Sequence, residues 1–110
     1  MTPRRLPIGA AWLAALLAAA APGARAGDAE RARAGVQAGR YVPLASILDW
    51  LDARYHGRAI EVELEDDEDE PPTYEVEWLT PQGRVVEFEF DARSGELLER
   101  EGRGLEDAAR

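Results

Sequence analysis

Between residues 59 and 90, apolar and acidic side chains take turns with almost no exception. In Ala59-Ile60-Glu61-Val62-Glu63-Leu64-Glu65, the residues Ile60, Val62 and Leu64 fall on one side of an extended chain and the glutamates on the other. Tyr74-Glu75-Val76-Glu77-Trp78 and Val86-Glu87-Phe88-Glu89-Phe90 repeat the pattern. A period of two belongs to a strand with one buried and one wet face, because successive Cβ atoms point to opposite sides. Three strands are therefore expected. Their wet face would carry Glu61, Glu63, Glu65, Glu75, Glu77, Glu87 and Glu89.

The period changes upstream. Leu44, Ile47, Leu48, Leu51 and Tyr55 follow the three-four spacing of one helix face, with Trp50 at the edge of that stripe. Pro43 suits the start of this helix and Gly57 its left-handed end. A shorter helix is expected in the Ala-, Arg- and acid-rich stretch 27–40, with Asp28 as its cap and Gly39 as its stop. Glu65 to Glu70 is a run of six acids followed by Pro71-Pro72, which reads as a solvated hairpin tip. Pro81-Gln82-Gly83 and Asp91-Ala92-Arg93-Ser94-Gly95 supply the next two turns, and Glu96-Leu97-Leu98-Glu99 a short fourth strand. Connections this short allow only antiparallel pairing. The expected fold class is α+β: one or two N-terminal helices packed on one face of a three- to four-stranded antiparallel sheet. Residues 101–110 read as a flexible tail.

Residues 1–26 have a different character. Arg4 and Arg5 precede an uncharged apolar run from Ile8 to Ala21; Pro22-Gly23 breaks it, and Ala24-Arg25-Ala26 is a small-x-small site. This is the layout of a secretory signal peptide, and the run is short for a membrane span. An uncleaved anchor or a buried helix is the alternative. The arginine pair hints at twin-arginine export, but Leu6-Pro7 follows it, and general secretion fits better. A periplasmic or secreted location is expected. With no Cys, the chain has neither a disulfide nor a lipidated cysteine.

Cleavage after Ala26 removes three arginines and no acid from a chain of 13 basic and 22 acidic residues, leaving a formal charge of −12. All the cations are Arg. Nucleic acid is excluded as a partner, since that binding runs on the release of counterions by cationic side chains. An anionic membrane surface is disfavoured for the same reason.

The stretches Val42-Pro43-Leu44, Ile47-Leu48, Tyr55-His56-Gly57-Arg58 and the strand Ile60 to Glu65, followed by Tyr74-Glu75-Val76, resemble the PepSY domain. So do Gly83-Arg84-Val85-Val86-Glu87 and Asp91-Ala92-Arg93-Ser94-Gly95-Glu96-Leu97-Leu98, the most specific part. The resemblance spans residues 41–100, with His56 standing where the family often has Pro and with an unusually acidic loop at 65–72. It implies an exported interaction module that binds or restrains a peptidase or another envelope partner. It implies no catalytic residues; Gly57, Gly83 and Gly95 match turn glycines, and Asp91 the strand-ending aspartate.

The residues themselves offer little chemistry. Ser46 and Ser94 are the only serines and His56 the only histidine. Ser46 falls on the polar side of a helix, Ser94 in a turn where serine serves the backbone, and His56 near a helix end where a cation is favoured. Zinc would need more His or Cys ligands than the chain contains. The 65–70 run lacks the alternation and glycine of a calcium loop. No enzyme, cofactor or metal is expected. The seven glutamates are the candidate partner-binding surface, and an acidic structural or cation-buffering protein is the alternative. If the leader is processed as its layout implies, N-terminal sequencing of envelope-fraction protein will begin at Gly27. Full-length protein in the cytoplasm would remove the localisation.

Overall fold

The computed structural model describes residues 26–110; the leader expected over 1–26 thus lies, but for Ala26, outside the described residues. Two helices, α1 (Ala26–Gln37) and α2 (Leu44–Arg54), precede strands β1 (Arg58–Glu65), β2 (Thr73–Leu79), β3 (Val85–Asp91) and β4 (Leu97–Glu101), and a short α3 (Leu105–Ala108) follows. The strands form one open antiparallel sheet in sequence order, β1-β2-β3-β4. The class is the expected α+β.

The inner face is the apolar half of the alternation. Tyr74, Val76 and Trp78 of β2 stand between Val62 and Leu64 of β1 and Val86, Phe88 and Phe90 of β3, all buried. Ile47 and Leu51 of α2 belong to the same core. Trp50 sets its ring edge-on to Phe90 at 5.7 Å, and Tyr55, just past the helix, lies tilted over Phe88 at 5.7 Å. Strand β2 also holds both ends of α2 by hydrogen bonds. The Tyr74 hydroxyl donates to the Val42 carbonyl at 3.0 Å, and Trp78 Nε1 donates to the His56 carbonyl at 3.0 Å. Each ring buries its apolar body and spends its polar tip on backbone flanking the helix. Gly57 makes the second contact fit. Its φ is 123°, and a Cβ there would stand 2.3 Å from the Leu79 carbonyl oxygen and 2.6 Å from Trp78 Nε1.

The Asp91-to-Gly95 turn has an equally local cause. The Asp91 carboxylate accepts from the backbone N–H groups of Arg93 and Ser94 at 2.7 and 3.0 Å, while Ser94 Oγ accepts from Glu96 N–H. The Asp91 N–H donates to the Glu96 carbonyl, closing the turn into β4. This is what the Asp-Ala-x-Ser-Gly spacing encodes.

Four expectations need correction. Ile60 is not part of the core: a bulge shifts the β1–β2 register between Ala59 and Glu61, and Ala59 rather than Ile60 stands opposite Trp78 and packs on the core. Strand β4 runs two residues further than Glu99, with a second bulge that leaves Leu98 half exposed. Asp28 does not cap α1 but reaches the backbone of β1, where its carboxylate accepts from the Leu64 N–H at 3.3 Å. The end of the chain is not frayed. His56 N–H donates to the Ala108 carbonyl at 2.7 Å, Arg110 N–H to the Arg54 carbonyl at 2.8 Å, and Ala108 is fully buried. The guanidinium of Arg110 also donates to the Asp52 carbonyl. The last carbonyls of a helix lack partners within it, and the C-terminal segment satisfies two of those of α2, at Asp52 and Arg54.

With so few core residues, Leu51→Ala or Phe88→Ala should each cost roughly 2–5 kcal/mol of stability, most of what a small domain has. Glu87→Ala, on the opposite face, should melt no lower than the parent. Thermal unfolding of the three variants checks both the core and the register. A destabilised Glu87→Ala beside an unperturbed Phe88→Ala would put every strand on the wrong face.

Candidate functional site: a glutamate-faced sheet

The register aligns the outward glutamates into rows running across the strands. Glu63 pairs with Glu75, Glu75 with Glu89 and Glu89 with Glu99. One step along, Glu61 pairs with Glu77, Glu77 with Glu87 and Glu87 with Glu101. Each row thus crosses the whole sheet as four consecutive glutamates with no cation among its positions. The rows on either side are mixed: Glu65, Thr73 and Asp91 at one end, Arg58, Leu79 and Val85 at the other. Of the seven glutamates expected on the outer face, six lie in the two four-residue rows and Glu65 in the next.

Glu99 and Glu101 complete both rows and were not among the residues expected there. Their signal is Glu99-Arg100-Glu101, an alternation too short to read once the bulge at Leu98 breaks its phase. The cation between them does not neutralise the face. Arg100 stands opposite Phe88, hence on the inner side, and donates to the Tyr55 hydroxyl at 3.4 Å.

Like charges in directly opposed cross-strand positions disfavour the sheet. Two carboxyls of the rows are shifted toward the protonated form. The Glu75 carboxyl is raised from the ordinary 4.5 to about 7, first by a hydrogen bond with Glu65, then by partial burial and by the charges of Glu65, Glu87 and Glu89. Glu87 is raised as well, by burial and by Glu77, Glu101, Glu89 and Glu99. Carboxylate oxygens of Glu65, Glu75 and Glu89 all lie within 4.8 Å of one another, a spacing that a cation could bridge. Of the six consecutive acids at 65–70, only Glu65 joins this group. Asp66 turns the other way and pairs with Arg31 of α1 at 3.3 Å.

The side chains considered for nucleophilic chemistry are occupied locally. Ser46 Oγ donates to the Pro43 carbonyl at 2.6 Å in the first turn of α2, and Ser94 Oγ serves the turn before β4. His56 lies beyond the end of α2, and its backbone, not its ring, does the joining: N–H to Ala108, carbonyl from Trp78. A separate apolar hollow of about 340 Å³ opens between α1, the start of α2 and the inner face of β1. Among the described residues no helix is long and apolar enough to cross a membrane.

The family model described as the peptidase propeptide and YPEB domain, PepSY, matches residues 14–101. The match takes in α1, α2 and all four strands. No curated protein and no solved structure matches the chain.

The rows set the pH dependence. Glu75 binds its proton more tightly in the folded sheet than in the unfolded chain, so its contribution is fully present below about 4.5 and lost as pH rises through about 7. Asp91 acts in the opposite sense, because the hydrogen bonds from Ser94 and Arg93 hold its carboxyl below the ordinary 3.8; that contribution is lost in stronger acid. Thermal stability should therefore fall between about pH 4.5 and 7, and Glu75→Gln should flatten the fall. Melting curves across that range, flat for the parent or unchanged in slope for the variant, would show that folding does not raise the Glu75 carboxyl.

Proposed function

Because the chain belongs to the PepSY family, we propose that it is a non-catalytic, extracytoplasmic protein-interaction module that engages a peptidase or another envelope protein through its glutamate-faced sheet. The family is built around propeptide-like and inhibitor-like domains, which supports binding over catalysis. The observation that carries the reading is the pair of four-glutamate rows. A face meant only for solubility would mix charges or use Thr; uninterrupted acid across four strands disfavours folding through cross-strand repulsion. A basic partner surface recovers that cost on docking, and the field of the rows speeds encounter. Nucleic acid and anionic membrane are repelled by the same field.

An acidic structural or cation-buffering role is the second reading, favoured by the convergence of Glu65, Glu75 and Glu89. It needs no defined partner and is indifferent to any single carboxylate outside that group.

Glu75→Arg combined with Glu77→Arg places one cation in each row. The double variant should melt higher than the parent under either reading. Under the binding reading it should also lose the complex recovered from an envelope extract, and parental association should slow steeply as salt rises. A complex of equal strength with parent and variant, at low and high salt, would move the partner site to the helices. Calcium that raises the parental melting temperature, with no envelope partner recovered, would select the second reading.

A further inference from the structure

The open edge of β1 has a hydrogen-bonding pattern that follows from α1. Strand β1 ends the sheet on one side. At Leu64 the outward-directed backbone groups are taken: Asp28 accepts from the N–H, and Arg31 donates to the carbonyl at 2.9 Å. Leu64 is therefore a non-hydrogen-bonded partner of Tyr74 within the ladder. In an antiparallel ladder such pairs alternate with bonded ones, so Val62, opposite Val76, also directs its N–H and carbonyl to the open edge. Among the described residues no side chain or backbone group meets them.

Two features flank that position. Toward the inner face lies the apolar hollow of about 340 Å³, walled by Ala29, Ala32 and Val36 of α1, Leu44 of α2, and Val62 and Leu64. Toward the outer face, Glu61 and Glu63 begin the two acidic rows. A strand added at Val62 would point the residue facing Val62 into the hollow and its two neighbours over the glutamates. A second copy of β1 would bring more glutamates against these rows, so charge disfavours self-pairing.

We infer that the β1 edge at Val62 accepts an extended peptide segment of alternating apolar and cationic residues, its apolar side chains entering the hollow beneath α1 and its cations meeting the glutamate rows. Helix α1 sets the limit of the added strand, because Asp28 and Arg31 already occupy the next pair of backbone groups. The inference rests on the reading that the acidic face binds a basic partner, and adds to it the mode of attachment and the sequence pattern recognised.

The pattern dictates a test that needs no variant of the protein. In a strand paired at Val62, the N–H of the apolar residue bonds to the Val62 carbonyl, while the N–H of each cationic residue points away. A capped seven-residue peptide alternating arginine and valine is titrated into the full chain, beside versions N-methylated on the valines or on the arginines. The expected result is saturable binding that slows amide exchange at Val62, is weakened about tenfold or more by methyl groups on valine nitrogens, and is unaffected by methyl groups on arginine nitrogens. Ala29→Trp, which fills the half-buried wall of the hollow, should weaken the same peptide while the melting curve stays in place. Equal affinity for both methylated peptides would overturn the edge mode yet leave the acidic-face reading standing. Protection of Val62 without peptide, in a chain that sediments as a dimer, would overturn it in favour of a second copy. Failure of every arginine peptide to bind, together with a salt-insensitive envelope complex, would sink both.

Discussion

Two hydrogen bonds from one strand position everything else in this domain. Tyr74 and Trp78 lie four residues apart on the inner face of β2, a central strand, and each reaches backbone flanking α2: Val42 before it, His56 after it. Both rings are almost fully buried, so an unsatisfied hydroxyl or indole N–H would carry a desolvation penalty. The helix is thereby clamped at both ends over Phe88 and Phe90. Gly57 belongs to the same contact, since a side chain there would occupy the space of the Trp78 nitrogen and the Leu79 carbonyl. The Val42 N–H in turn donates to the Ala92 carbonyl, which ties the entry to α2 to the turn leaving β3.

That clamp commits the sheet to one wet face, and the wet face is where the molecule accepts instability. Each four-glutamate row is a line of like charges at cross-strand spacing, and one carboxyl in each, Glu75 in the first and Glu87 in the second, is raised above its ordinary value. The single cation of β4, Arg100, is turned to the inner side. Acidity and stability are thus set against one another, and a fall in pH relieves the conflict from outside. The acids fill the two middle rows and are absent from the row nearest the 81–83 turn, where Arg58, Leu79 and Val85 stand together.

The edges of the sheet are treated unequally. Strand β4 is short, bulged and charged, features that discourage further pairing. On the β1 side, α1 shields Leu64 with an Asp and an Arg that imitate the backbone acceptor and donor of a neighbouring strand. Among the described residues the shielding of backbone groups stops there, beside an apolar hollow lined by small side chains of α1. An edge half closed in this way limits where a partner strand can begin, which is a condition for specific rather than indiscriminate pairing.

Alternation along residues 59–90 and the three-four spacing of α2 were enough to determine the α+β class, the antiparallel order and the identity of almost every core residue, because burial follows side-chain period directly. The Asp91-to-Gly95 turn was legible too, since its hydrogen bonds join residues two to five apart. The sequence likewise declared seven outward glutamates but not their arrangement. That they stand in two unbroken rows, joined by Glu99 and Glu101, depends on strand register and on where the bulges fall, and those are settled between strands. Ile60 was misplaced for the same reason: an extra residue in a ladder leaves no trace in local periodicity. The C-terminal segment, polar and Ala-rich, has no amphipathic pattern of its own; it is ordered because Ala108 and Arg110 meet carbonyl and N–H groups left over at the end of α2. The hollow beneath α1 and the open backbone of Val62 exist only once a helix and an edge strand distant in sequence lie side by side, and only the tertiary structure decides that.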